Sequence, residues 1–413
     1  MPTVSIKGQI VLPKKIVDTF NLTEGMDLYF KLSEDNSSCL VNFNKLANSD
    51  CKSKILTRFQ ITIPKKIREK MKIELNDRIE ILTLENNFEL KLADKSWINK
   101  AIEFYEDNYS FLGMIDLGKL DSRVFLGEKN ECRFCGRKKG EVKFRKEAHA
   151  ISELLGNHML FLNDECDDCN QLFSKWENDL GNYLHFWRSA TMQAGKRKSP
   201  KYKNTSFQMG ESTEGRLLIK EFTNNSYTTL NTENKTITIK GVQQSYIPSG
   251  VYKSFVKMAL SLIPKEQIKN FDKTIEWLLD DQLKIKPNSQ LILIEQFVPG
   301  PKPYPNVQML AFSRKTNKKT NNPYYVFLLC YSNFVYQIYV PFCKFDTGLE
   351  NINVTAFPSN YALVFPEGTI RPDFKDFSSS EKTKKEPISI EFTYDKKIDI
   401  SPENFKKLKE DFK

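Results

Sequence analysis

Read as alternating apolar and polar positions, the chain opens with one pattern used twice. Residues 8–32, GQIVLPKKIVDTFNLTEGMDLYFKL, align with residues 59–83, FQITIPKKIREKMKIELNDRIEILT. Each copy runs Q-I-x-x-P-K-K-I, then a stretch apolar at helical spacing, then a turn and an alternating segment. That pattern predicts strand, short proline-started helix, turn, strand. Proline suits the first helical position because its missing N–H is unpaired there anyway. One copy is too small for a core of its own, so the two should pack together as one domain over residues 1–93.

Residues 94–130 begin as an amphipathic helix, with Trp97, Ile98, Ala101, Ile102 and Tyr105 on one stripe, and loosen into a Gly- and Asp-punctuated connector. EAHAIS (147–152) reads as a short strand, and QLFSKWENDLGNYL, opened by Asn170, as a helix. After residue 205, RLLIKEF and NKTITIKGV read as antiparallel strands joined by Asn-rich turns. VYKSFVKMALSLIP and IKNFDKTIEWLLDD are helical, and LILIEQFVPG, PNVQMLAFSR, YYVFLLCYSN, FVYQIYVPF and ALVFPEG follow as strands, several apolar on both faces. The charged tail ends in a strand and a short helix. The predicted fold class is α+β and multidomain: a repeat domain (1–93), a helical linker (94–130), a central module (131–204), and a C-terminal α+β domain (205–413) with a mostly antiparallel sheet.

The central module carries the chemistry. Cys132 and Cys135 form one C-x2-C pair, Cys166 and Cys169 another. Each pair offers two thiolates from one tight turn, and two pairs complete the tetrahedral shell that a structural Zn²⁺ prefers. One such ion per chain, with no open position, staples the fold and does no chemistry. Between the pairs lies His149, one of three histidines in the chain, and Asn170 follows the last cysteine directly.

The order C-x2-C, hairpin with a histidine, C-x2-C then Asn resembles the zinc-bound subgroup of the HNH (His-Me finger, ββα-metal) endonucleases over residues 130–190. The resemblance implies a two-stranded hairpin packed on a helix, with one catalytic Mg²⁺ or Mn²⁺ at the junction. His149 would be the general base that activates water against a phosphodiester, and Asn170 a metal ligand. An asparagine in the hairpin loop, Asn163 or Asn157, would hold the backbone near the histidine. Arg145 and Lys146 lie beside the site and would steer phosphate. An imidazole titrating near neutrality is a suitable base for water, and a hard cation on oxygen ligands neutralises charge on the phosphate. One position departs from the family: the second metal ligand, usually Asp before the histidine, is Ala148 here. Glu147, on the histidine's side of the strand, and Glu177, two helical turns beyond Asn170, are the candidate replacements.

The N-terminal repeat resembles the AbrB-like swapped-hairpin DNA-binding domain, on its G-[QR]-[IV]-x-[IV]-P-x-x-[IL] segment. Two tandem copies would build that family's small β-barrel within one chain and lay a basic face on duplex DNA. The candidate contacts are Lys7, Lys14 and Lys15 in the first copy and Arg58, Lys65, Lys66 and Arg68 in the second. The second copy has Phe59 where the first has Gly8, and Asn76 where it has Gly25. A basic run after the module, with Lys196, Arg197 and Lys198, would add affinity for the DNA backbone without specificity.

Composition adds bounds. A net charge of +10 permits nucleic-acid binding without establishing it. No apolar run reaches the ~18 residues of a membrane span, and the N-terminal pattern lacks the apolar core of a signal peptide. Scattered Cys39, Cys51, Cys330 and Cys343, beside the zinc pattern, point to a reducing cytoplasm. Residues 205–413 contain no histidine and no glycine-rich phosphate loop. The reading that follows is a metal-dependent DNA endonuclease with an AbrB-like reader, acting as a homodimer on double-stranded DNA in bacterial restriction or anti-phage defence. The alternative is a non-enzymatic DNA-binding regulator whose HNH module is a zinc-stapled scaffold.

Overall fold

In a computed structural model of the chain, the residues described are 2, 4–45, 49–75, 77, 79–92, 97–193, 195, 199–203, 207–212, 215–221, 227–315, 320–349, 352–365 and 369–397. They fall into two compact units, Met1–Lys100 and Ala101–Lys413.

In the first unit the repeat becomes a local twofold. The strands Gln9–Val11 and Gln60–Thr62 pair antiparallel, Gln9 with Thr62, Ile10 with Ile61, and Val11 with Gln60. Equivalent residues of the two copies therefore face one another across the Ile10–Ile61 pair. Helices Lys14–Thr19 and Lys65–Met71 follow, each capped by a proline one position earlier than the sequence suggests. The hairpin Asp27–Leu32/Ser38–Asn42 meets its counterpart Ile79–Thr83/Phe88–Leu92 through Cys39–Leu90 and neighbouring pairs. Cys51–Lys54, which leads into the second copy, pairs with the first copy's Asp27–Phe30. At the matching position of the other copy, Ile79 N–H donates to the carbonyl of Pro2 (2.9 Å). Ile10, Ile61, Ile67, Leu28, Phe30, Phe88 and Leu90 fill the shared interior. Each such side chain contributes about 1.5–3 kcal/mol by burial.

The barrel expected here is not closed. Five strands form one sheet and the Gln9–Val11/Gln60–Thr62 ribbon another. Among the described residues, the single bridge Ile55–Ile61 joins the segment after Cys51–Lys54 to that ribbon. The five-stranded sheet keeps both its edges, Cys51–Lys54 and Ile79–Thr83.

The second unit is built on a six-stranded antiparallel sheet. Its order is Pro372–Asp376, Ile292–Phe297, Phe334–Tyr339, Tyr325–Ser332, Tyr304–Arg314, Tyr109–Asp116. Tyr325–Ser332 and Phe334–Tyr339 are buried at every residue, as their two-faced apolar runs require. Helix Pro248–Leu262 packs both on the Phe334–Tyr339 strand and on helix Asp167–Ala190. Covered on all sides, it is buried from Pro248 to Ser261. From Ala101 onward the stretch read as a connector is part of this architecture: most of the helix Trp97–Asn108 lies in this unit, and Tyr109–Asp116 is the sheet's edge strand. One hydrophobic cluster runs from Leu117 to Phe377 and draws on both sides of residue 204. Among the described residues, three three-stranded sheets complete the unit. In one of them, Glu386–Thr393 pairs with Thr236–Gln243 and so anchors the strand expected in the tail; the short tail helix falls outside the described residues.

Candidate metal centre and the histidine beside it

The first cysteine pair sits on a tight turn closed by Gly136 N–H to the carbonyl of Cys132 (2.9 Å), with Gly136 in the left-handed region at φ 68°. Cys166 caps helix Asp167–Ala190, and Cys169 lies in its first turn. Cys132 Sγ is 3.8 Å from Cys169 Sγ, and Cys135 Sγ is 3.7 Å from Cys166 Sγ. All four sulfurs lie within 4.8 Å of one another. A Zn–S bond of about 2.3 Å gives a tetrahedral edge of about 3.8 Å, so the spacing fits that ion and the soft donors suit it. The cluster expected from the two C-x2-C pairs is thus formed as a candidate metal site.

Two of the sulfurs are met by N–H groups. Cys166 N–H points at Cys132 Sγ (3.4 Å), and Arg137 Nε donates to Cys135 Sγ (3.4 Å). The adjoining Cys169 thiol and nearby backbone amides push Cys132 down to about 5, whereas burial pushes Cys166 up to about 11. Four thiolates this close repel unless a cation lies among them.

His149 stands on a two-residue strand, Ala148–His149, that pairs antiparallel with Leu160–Leu162. Leu160–Leu162 in turn pairs in parallel with Val124–Leu126. The approach to the histidine is tied to the helix that closes the cysteine cluster: Asp167 Oδ1 accepts from the backbone N–H of both Arg145 and Lys146 (2.9 Å each). Asn170 lies in that same first turn, its N–H bonded to the carbonyl of Cys166 (3.0 Å). The His149 ring packs against Phe161 (centroids 4.7 Å apart) and is 21% exposed at the side chain. Nδ1 is enclosed with no hydrogen-bond partner, and Nε2 lies 4.0 Å from Glu153 Oε2, too far for a hydrogen bond. Burial holds the imidazole below its ordinary pKa, against the pull of Glu153, and so favours the uncharged ring.

Of the two asparagines proposed for the loop, Asn157 makes the clamp. Fully buried, it donates through Nδ2 to the carbonyls of Ile151 (2.7 Å) and Leu160 (2.8 Å). Its Oδ1 accepts from the N–H groups of Met159 (3.1 Å) and Leu160 (2.9 Å). Asn163 is bound through its backbone, to the carbonyl of Leu126 (2.7 Å).

Glu147 is engaged elsewhere, paired with Arg123 Nη2 at 2.6 Å, which holds its carboxyl below the usual range. The Arg123 guanidinium also lies over the ring of Phe161 (4.1 Å) and near that of Phe125 (5.2 Å). Glu177 is half-buried on helix Asp167–Ala190, near enough to Glu165 to act on its titration. Family models, curated proteins and solved structures were all compared with the chain, and none matches.

Lys7, Lys14, Lys15, Arg58, Lys65 and Lys66 are exposed on the first unit. Lys65 pairs with Glu69 and Lys66 with Asp50. Arg68 is used internally: Nε donates to the carbonyl of Ile63 (3.0 Å), and the guanidinium packs where a Cβ on Gly8 would lie 2.4 Å away. Lys196, Arg197 and Lys198 lie outside the described residues. Residue types gave no signal for the ionic groups behind the site. Arg133 and Asp164 form a buried fork, and Lys257 pairs with the fully buried Glu165 at 2.9 Å.

Proposed function

We propose that this chain is a zinc-stapled, metal-dependent endonuclease of the HNH type that hydrolyses phosphodiester bonds in DNA. The observation that carries the reading is a partly exposed imidazole on a strand whose approach is tied, through Asp167, to the helix turn bearing Cys166, Cys169 and Asn170. With Nδ1 enclosed, Nε2 is the nitrogen left to take a proton from water. Asn170 and Glu177 would hold a Mg²⁺ or Mn²⁺ ion, which when bound supplies charge neutralisation on the phosphate and the leaving 3′-oxygen. Asn157 keeps the loop after His149 in one conformation, so that the ring does not have to be organised during the reaction. Arg145 and Lys146 offer positive charge beside the site. Lys7, Lys14, Lys15 and Arg58 would position duplex DNA by touching its phosphates, and a second copy of the chain would cut the opposite strand.

Plasmid incubated with the protein and Mg²⁺ or Mn²⁺ should be nicked or linearised, and His149→Ala should abolish this with zinc content unchanged. Equal behaviour of the two proteins overturns the reading. A second reading, a DNA-binding regulator with a silent module, draws on the engagement of Glu147 by Arg123 and on Ala148, which together leave the second metal poor in carboxylates. It requires DNA binding that is indifferent to divalent metal and to His149.

A further inference from the structure

His149 sits at the outer edge of its small sheet, whose order is Ala148–His149, Leu160–Leu162, Val124–Leu126. The ladder bond nearest to it runs from Ala150 N–H to the carbonyl of Leu160 (3.1 Å). That geometry turns the carbonyl of His149 away from the sheet, where a buried acceptor needs a donor from another element. The donor is Lys257, from the middle of helix Pro248–Leu262: its Nζ lies 2.5 Å from the carbonyl oxygen of His149. The same ammonium lies 2.9 Å from Glu165 Oε2, and the two side chains are 4% and 0% exposed.

This support is itself braced. Arg133, next to the zinc-candidate Cys132, donates through Nη1 to the carbonyls of Leu260 (2.9 Å), Ser261 (3.0 Å) and Ile263 (3.2 Å). It thereby caps the end of the helix that carries Lys257. Its other nitrogens fork onto Asp164, one residue before Glu165. Lysine buried this deeply is rare, and a partner carboxylate explains only its charge. The carbonyl of His149 gives its remaining hydrogen-bonding capacity a target.

We propose that Lys257 is a positioning residue for His149, fixing the peptide plane that follows the imidazole, so that the part of the chain beyond residue 205 belongs to the catalytic unit. The proposal rests on the endonuclease reading. Between them, Lys257 at residue 149, the ladder bond at 150 and Asn157 at 151 pin three successive backbone groups. A base displaced by even a fraction of its reach loses rate without losing substrate affinity.

The test compares Glu165→Gln with Lys257→Met/Glu165→Gln in the full chain, both zinc-loaded and matched in melting temperature. Each neutralises Glu165, and only the double variant removes the donor to His149. Glu165→Gln should keep kcat within about threefold of wild type, while the double variant should lose about tenfold to a hundredfold in kcat with KM nearly constant. Equal kcat in the two variants, with His149→Ala still inactive, overturns the positioning role and leaves the endonuclease reading standing. No cleavage by wild type at all overturns the endonuclease reading instead. Should the double variant fail to fold, a crystal structure of the zinc-loaded wild type decides: Lys257 Nζ beyond hydrogen-bond reach of the His149 carbonyl ends the proposal.

Discussion

Arg133 and Asp164 meet in a two-bond fork, Nε to Oδ1 and Nη2 to Oδ2 at 2.9 Å each, with the side chains 4% and 0% exposed. Gly127 makes room for it: at φ 71°, a Cβ there would lie 2.2 Å from Asp164 Cγ. Arg133→Met leaves a buried carboxylate alone and should cost about 3–5 kcal/mol in urea unfolding. Arg133→Met/Asp164→Leu should recover most of that loss, because the uncompensated charge is gone.

Zinc should be present at one ion per chain by elemental analysis. Stripping it with a chelator should lower the melting temperature and erase much of the fixed packing around Phe134 and Phe173, whose rings meet edge-on at 4.8 Å beside the cysteines. Cys166→Ser should do the same without a chelator.

Acid should silence cleavage through His149. Its folded pKa lies below the ordinary 6.5 because burial disfavours the charged ring. A base works only when deprotonated, so kcat/KM should rise with pH along a limb with its midpoint below 6.5. A midpoint above that value would mean that another group limits the rate. The same shift has a stability consequence: the neutral ring is preferred in the folded state, so stability should fall as pH drops below the unfolded histidine value.

Arg58 and Phe59 are two adjacent non-glycine residues in the left-handed region, at φ 58° and 52°. Strain of this kind is concentrated where a side chain must be presented. Arg58→Gly should stabilise the first unit by about 1 kcal/mol in thermal unfolding. The same change should weaken DNA binding if the guanidinium touches phosphate.

Neutralising Lys7, Lys14 and Lys15 together should flatten the dependence of log K on log salt by about 0.9 for each phosphate that is no longer neutralised. An unchanged slope in filter binding or fluorescence anisotropy would remove the first unit from the DNA interface.

Features that live in short stretches of chain were legible from residue order alone. The two C-x2-C spacings bring four sulfurs together because each pair needs only one turn of backbone. The repeated Q-I-x-x-P-K-K-I segment yields strand and proline-capped helix twice, since period and proline act locally. The doubly apolar runs at 325–332 and 334–339 could only be central strands. Tertiary structure alone decided which side chains share a partner. Asn157 rather than Asn163 clamps the loop, Arg123 occupies Glu147, Arg68 turns inward over Gly8, and Lys257 crosses more than a hundred residues to reach His149. Lysine, arginine and glutamate are read as surface residues from type alone. Burial within helix Pro248–Leu262 removes the water that would otherwise have solvated Lys257, and its ammonium meets a carbonyl that the small sheet leaves unpaired.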